Sequence, residues 1–256
     1  MERKRLAPSR VMQLVFRGLF VQSCWNFDNF QGVGFTYALD LGALPLGGEE
    51  KEVKAVYERH MKYFNTNPYM AGLIVGGVVR LEEERLKGGA TIEQIETFKR
   101  DLMAALGALG DSLIWGTLRP FASLLAVMAA LIFESPAPLV FLLIYNGLTL
   151  WIRVAGIKNG YAYGSEILHY LKHLNLQRQI FWLNGLILFA VGSLLPLWVA
   201  QATPVPSFSF FAICGAVLGV VYGVWKGEQM RVSYLAQVLI LLLVSQLLAH
   251  GGWVSF

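Results

Sequence analysis

The stretch Gly107-Ala108-Leu109-Gly110-Asp111-Ser112-Leu113-Ile114-Trp115-Gly116-Thr117-Leu118-Arg119-Pro120 decides how the rest of the chain is read. It sits between a charged middle segment and a mainly apolar second half, and it carries a carboxylate, a guanidinium and three glycines inside an otherwise membrane-like run. A charge at hydrocarbon depth costs about 2.5–3.5 kcal/mol on insertion scales, so such residues usually face a protein interior or a wet cavity. The other reading is an interfacial linker, with Asp111 and Arg119 wet or paired for structure.

Working outward, 55% of the 256 residues are hydrophobic and only 15% are charged, which is more apolar than an ordinary soluble domain. The apolar residues come in long blocks after Pro120, favouring spanning helices over a large soluble core. The expected class is an all-α integral membrane protein. The net charge of +4 is small and lies in short loops, where it speaks for orientation and anionic headgroups. No basic face with stacking aromatics points to nucleic acid. Cys24 and Cys214 lie far apart in apolar settings, make no metal spacing, and are expected to pack as small hydrophobes.

Arg3, Lys4, Arg5 and Arg10 precede an apolar stretch in the manner of a signal peptide, but Arg17 interrupts it and no cleavage site follows closely, so the segment is read as retained. Residues 10 to 25 have Val11, Leu14, Val15, Leu19 and Val21 at roughly helical spacing, an amphipathic helix too short and too charged to span. From Gln22 to Gly34, amides, aromatics and glycines interleave, with Gln22, Trp25 and Asn26 at the front. Aromatic faces beside amides suit a sugar, which offers an apolar ring face and hydroxyls. An interfacial aromatic belt with capping amides is the alternative.

Gly42, Pro45, Gly47 and Gly48 make a turn-rich exit, and Glu49 to Tyr63 is polar and helical. In Phe64-Asn65-Thr66-Asn67-Pro68, Pro68 biases Asn67 away from helix. Asn65 and Thr66 are either a turn with an N-cap or polar groups presented at a break between half-helices. Met70 to Leu81 is apolar, glycine-rich and too short to span, while Glu82 to Lys87 and Glu93 to Asp101 read as solvated charged faces.

Beyond Pro120, Phe121–Phe133 and Leu139–Ile152 are apolar pieces separated by Glu134 to Pro138, each shorter than the roughly 20 residues a span needs. They form a hairpin or tilted helices. Ile180–Ala200, Phe208–Trp225 and Val232–Ala249 are better spans. Lys172, Arg178, Lys226 and Arg231 alternate with an uncharged 201–207 loop, which puts the basic loops and the N-terminus in the cytoplasm. Short polar pieces broken by Gly and Pro point to discontinuous helices. Residues 1–120 are therefore expected to be a site-bearing, re-entrant helical half, and 121–256 a scaffold with a hairpin and about three spanning helices.

No catalytic apparatus emerges: the four histidines show no metal spacing, and there is no GxSxG, Walker A or CxxC. No cofactor, metal ligand or catalytic residue is expected. Asp111 has no second titratable group beside it in sequence, which argues against an intramembrane enzyme.

At these motifs the chain resembles the IID component of the mannose/fructose/sorbose family of the bacterial sugar phosphotransferase system (PTS). The marks are Gln22-Ser23-x-Trp25-Asn26-Phe27 with Gln31-x-x-Gly34, then Tyr63-Phe64-Asn65-Thr66-x-Pro68-Tyr69 and Leu81-Glu82-Glu83-Glu84. Lys99-x-x-Leu102-Met103, Leu109-Gly110-Asp111-Ser112-x-x-Trp115-x-Thr117-Leu118-Arg119-Pro120 and Gly156-Ile157-Lys158-x-Gly160-Tyr161-x-x-Gly164 complete the set. The resemblance implies a subunit of a sugar permease in the bacterial inner membrane, paired with a IIC subunit in a trimer of pairs, while soluble IIA and IIB proteins carry the phosphate. It implies a substrate site lined or supported by Gln22, Trp25, Asn26, Asn65 and Thr66. Gly110, Asp111, Arg119 and Pro120 would form a helix break, with Asp111 accepting from backbone or Arg119 donors. The family commonly has His at Asn67 and an acidic–basic pair at Asp28-Asn29. The change at Asn67 motivates a second expectation, an assembly or receptor protein that keeps the fold without transporting.

Overall fold

A computed structural model describes residues 5–41, 50–133 and 136–188. The chain divides into units of residues 1–180 and 181–256, and the packing below is that of the first. Residues 176–188 are helical; the expected spans over 208–225 and 232–249, most of that over 180–200, and the Gly42–Gly48 exit lie outside the described residues.

Up to residue 91 the chain forms short helices. α1 (Pro8–Gly18) starts on a proline, tolerated there because a first-turn N–H has no intrahelical partner. It buries Val11, Leu14 and Val15 and exposes Met12 and Phe16, the expected amphipathic face. The helix stops well before residue 25, and residues 19–24 turn so that the Phe20 and Val21 carbonyls lie directly on Gly34, where any Cβ would collide with them. Cys24 is not packed as a small hydrophobe: it is exposed in this turn, with φ 62°. α2 (Gly32–Leu39) ends on left-handed Asp40, whose carboxylate pairs with both Arg10 and Arg17 of α1.

α3 (Glu50–His60) and α4 (Ala71–Arg85) follow, with an extended segment around Phe64–Asn67 between them. α5 (Ile92–Gly110) opens with a capping box, Thr91 accepting from the Gln94 N–H while the Gln94 side chain accepts from the Thr91 N–H. It leads into a π-helical segment, Asp111–Leu118, and then α6 (Arg119–Phe133).

The expected helix break at Gly110, Asp111, Arg119 and Pro120 is therefore corrected. The helix widens there and runs on, unbroken over 39 residues from Ile92 to Ala130. Pro120 lacks an N–H and its ring crowds the carbonyl four residues back, while i→i+5 spacing relieves that crowding without ending the helix. The Thr117 hydroxyl donates to the Ser112 carbonyl, five residues back, at 2.9 Å, which follows the wider spacing. The short apolar pieces at 121–133 and 139–152 thus belong to longer helices. The second lies in α7 (Ala137–Tyr163), which continues through a 3-10 turn (Gly164–Glu166) into α8 (Ile167–Leu174), 38 residues from Ala137 to Leu174. Both long helices can cross a membrane by length and composition, and only 22% and 17% of their most apolar windows are buried inside the protein.

α4 packs along α7 through small residues on both sides. A Cβ at Gly76 would strike the Ile157 carbonyl, and one at Gly160 the Leu73 carbonyl; Gly72 and Gly156 complete the contact. Such a small-xxx-small seam brings two backbones close enough for dispersion over their whole length. Polar contacts pin its ends: Arg80 donates to the Tyr161 and Ala162 carbonyls at 3.2 and 2.9 Å, and the Tyr161 hydroxyl donates to Glu83 at 2.6 Å. At the other end Arg153 Nη1 donates to Gly18 and Pro68 carbonyls. The core continues from this seam through Ile74, Val78, Phe35 and Phe64 to Leu14 and Leu39.

Candidate substrate site

The loop before α2 is shaped by its own amides. Asn26 Oδ1 accepts from the Asp28 and Asn29 N–H groups at 2.9 and 3.0 Å, while its Nδ2 donates to the Cys24 carbonyl at 3.1 Å and to Asn29 Oδ1 at 2.8 Å. Those four bonds use the full capacity of an amide side chain. Asn26 is thus the loop's frame, and it holds Cys24 and Phe30 in left-handed conformations, φ 62° and 55°. Such strain in a non-glycine residue persists only where surroundings over-determine it.

The frame displays a row of aromatic rings, edge to face: Phe27 on Trp25 at 5.0 Å between centroids, Trp25 on Phe30 at 5.2 Å, Phe30 on Tyr63 at 5.1 Å. Phe27, Trp25 and Tyr63 are exposed, Phe27 to 85%. Gln22 is exposed in the preceding turn.

The loop hangs on the Phe64–Asn67 segment. Gln31 and Phe64 join backbones at 2.8 Å, and the buried Gln31 side chain clamps Thr66 at both ends, Nε2 donating to its carbonyl at 2.9 Å and Oε1 accepting from its N–H at 3.1 Å. Beneath, Phe35 stacks on Phe64 with centroids 3.8 Å apart. Gln31 carries this connection, yet sequence reasoning marked it only as part of a motif. An amide copying a backbone partner has no sequence signature beyond its residue type.

The same segment crosses the opening stretch of sequence. Gly110 lies against the Asn67 side chain with no room for a Cβ. Asn67, 2% exposed, donates from Nδ2 to Asp111 Oδ1 at 3.0 Å and accepts the Tyr69 N–H at 3.1 Å, turning the chain into α4. Asp111 thus accepts from Asn67 rather than from the expected Arg119, whose guanidinium meets no carboxylate among the described residues. Beside this contact Asn65 is exposed, and the Thr66 hydroxyl is buried with no hydrogen-bond partner. A buried polar atom left unpaired costs about 1–3 kcal/mol, and such groups often await a water or ligand. Of the five expected lining residues, the structure brings Trp25 and Asn26 to one frame that is bonded to the segment carrying Asn65 and Thr66; Gln22 forms no side-chain hydrogen bond to them among the described residues.

Behind the site lies a buried ionic cluster. Glu82, fully buried, accepts from Arg59 at 2.7 and 3.1 Å, from His60 Nε2 at 2.8 Å and from Arg85 at 2.7 Å, while Lys99 donates to the Arg59 carbonyl. The expectation that this charge run is a solvated face is corrected for Glu82, because Arg59 and His60 at the end of α3 close over it. Burial pushes the His60 imidazole down to about 4 despite its bond to Glu82. Burial alone would raise the Glu82 carboxyl, but the bonds from His60, Arg85 and Arg59 hold it down at about 2. His60 is thus neutral, Nε2–H toward Glu82 and Nδ1 unpartnered. Among the described residues no three His, Cys, Asp or Glu side chains gather as a metal group.

Residues 5–252 match the model of the PTS mannose/fructose/sorbose family IID component. The chain is 32% identical over 204 residues to the PTS mannose-specific EIID component of Escherichia coli K12, covering 78% of this chain and 72% of that one. It is 30% identical over 203 residues to the fructose permease IID component of Bacillus subtilis, covering 79% and 74%, and 30% identical over 205 residues to the sorbose-specific EIID component of Klebsiella pneumoniae, covering 80% and 75%. Among solved structures it resembles a membrane protein at TM-score 0.67, covering 97% of this chain and 98% of that one, and a chain of the mannose transporter ManYZ in complex with microcin E492 at TM-score 0.58, covering 98% of each. Both are 24% identical to it and bear on the fold alone.

Proposed function

The chain belongs to the PTS mannose/fructose/sorbose family of IID components, membrane subunits of sugar permeases, and from that premise we propose that it admits a hexose of the mannose, fructose or sorbose class together with a IIC subunit. Phosphoryl transfer to the sugar falls to IIA and IIB carriers, and this subunit supplies passage and binding without catalysis. The observation that carries the reading is the exposed row of Phe27, Trp25 and Tyr63, with the amide of Asn65 exposed two residues beyond Tyr63. Aromatic faces and free amide or hydroxyl groups side by side match a pyranose or furanose ring. Asn26 acts there as frame, Asn67 with Asp111 and Gly110 as the fixed floor. The assembly is a trimer of IIC–IID pairs in the bacterial inner membrane, with the N-terminus cytoplasmic.

The test is reconstitution with the IIC partner and the IIA and IIB carriers in vesicles supplied with phosphoenolpyruvate. Labelled mannose, fructose or sorbose is expected to enter and appear as the sugar phosphate, and this subunit alone is expected to move none. If the complete set phosphorylates no hexose, the reading fails.

A further inference from the structure

Two arginines stand at the feet of the α6–α7 hairpin without a counter-charge. Arg119 opens α6 and is exposed; Arg153 lies sixteen residues into α7 and is half-buried. Neither forms an ion pair among the described residues, whereas Arg59, Arg80 and Arg85 all do. Arg153 is pinned: Nη1 donates to the Gly18 carbonyl at 3.1 Å and the Pro68 carbonyl at 2.8 Å, and its guanidinium covers the Tyr69 ring at 4.7 Å. Its Nη2 and Nε make no hydrogen bond among those residues. The Tyr145 hydroxyl, about two helical turns before Arg153 on α7, donates to the Tyr69 hydroxyl at 3.3 Å, and the packing of α6 on α7 brings Arg119 to the same end of the hairpin.

Beyond the feet the hairpin is apolar, with Val127, Leu142, Leu143 and Leu150 exposed, and Trp115 and Trp151 exposed near the arginines. Tryptophan, tyrosine and arginine at the foot of an apolar arm mark headgroup level. The 15 residues of α6 rise about 22 Å, enough to carry the hairpin most of the way across a hydrocarbon core of about 30 Å. An unpinned arginine reaches water by extending its stem. Arg153 is held in place by two carbonyls, which leaves its Nε and Nη2 for a group that reaches it.

We propose that the phosphodiester of an anionic phospholipid binds between Arg119 and Arg153, beside the Tyr69–Tyr145 hydroxyl pair, with its acyl chains on the exposed leucines of the hairpin. Guanidinium forks match phosphate oxygens in geometry and prefer them to water when partly desolvated. One molecule with an anion on two chains covers both the cations and the apolar surface above them. Two cations with no carboxylate beside them select a net negative headgroup over a zwitterionic one. The site stands on the hairpin alone and does not depend on the sugar reading.

The protein in neutral detergent is titrated with dioleoylphosphatidylglycerol, dioleoylphosphatidylcholine and inorganic phosphate, and bound lipid is counted by native mass spectrometry. Phosphatidylglycerol is expected to bind its first site more tightly than phosphatidylcholine, with Arg119→Gln losing about fivefold of that affinity and Arg119→Lys recovering part of it. Arg119→Gln carries the decision because its exposed side chain forms no hydrogen bond or ion pair among the described residues, and its lipid-free unfolding midpoint is expected to match wild type. Arg153→Gln loses at least as much, but it also releases Gly18 and Pro68. Equal binding of the two lipids by wild type, or unchanged binding by Arg119→Gln, overturns the proposal. So does equal stabilisation by millimolar inorganic phosphate, which marks a free-anion site. Loss of the preference once the IIC subunit is bound overturns it in favour of a partner carboxylate.

Discussion

The α4–α7 seam and the loop built on Asn26 both bring backbone close to its neighbours, but by opposite means. In the seam, Gly76 and Gly160 remove side chains so that backbones touch, and between its polar ends the glycines meet backbone and apolar side chains. In the loop, amides do the holding, and their saturation leaves Trp25, Phe27 and Tyr63 facing outward. Close packing makes a region rigid but silent. A hydrogen-bonded frame keeps strained residues in place and leaves a surface free for a ligand.

The scaffold side of that comparison breaks first. Glu82→Gln strands the buried Arg59 guanidinium and leaves half-buried Arg85 with Glu52 alone, and removing one partner of a buried ion pair costs about 3–5 kcal/mol. A large fall in the unfolding midpoint in detergent is expected; a shift no larger than that of a surface variant would show that the cluster is wet. Gly76→Val is expected to cost about 1–3 kcal/mol through overpacking against the Ile157 carbonyl, while Gly147→Val, with open space around it, is expected to leave the midpoint near wild type.

Acid sharpens the same contrast. His60 is held near 4 in the fold against 6.5 when unfolded, so the unfolded chain binds more protons between those values. Stability is therefore fully present above about pH 6.5 and falls as pH drops toward 4. Glu82, held near 2 against 4.5, adds a further loss from about 4.5 downward. In a midpoint-versus-pH series, His60→Gln is expected to flatten the upper part of this fall and leave the lower.

The site side responds more in function than in stability. Asn26→Ala empties the loop's frame, and a loss of about 1 kcal/mol is expected together with weaker sugar uptake in the reconstituted permease. Asn65→Ala, at an exposed position whose side chain forms no hydrogen bond among the described residues, is expected to change stability by less than about 0.5 kcal/mol yet to lower sugar affinity. Wild-type uptake by Asn65→Ala would separate the exposed edge from the sugar path.

Much of this was legible in the residues. The apolar blocks and the amphipathic stripe of Val11, Leu14 and Val15 follow from period and length, and the motifs around Asn26, Asn65 and Asp111 were visible as unusual polar groups. Three things were not. Glu82 looks like its neighbours Glu83 and Glu84, and only the packing of α3 singles it out. Pro120 after three glycines reads as a break, because local sequence does not say that a helix can widen instead. Asp111 had Arg119 eight residues away as an obvious partner, while Asn67 comes to it only through the fold.

What the sequence determined by itself is the class: an all-helical membrane chain of the IID family, because hydropathy, periodicity and an ordered set of motifs are one-dimensional properties. Which polar groups are frame and which are free was decided by tertiary structure alone. Hydrogen-bond capacity is finite, and whether Asn26, Gln31 or Asn67 has any to spare depends on who stands within about 3 Å of it.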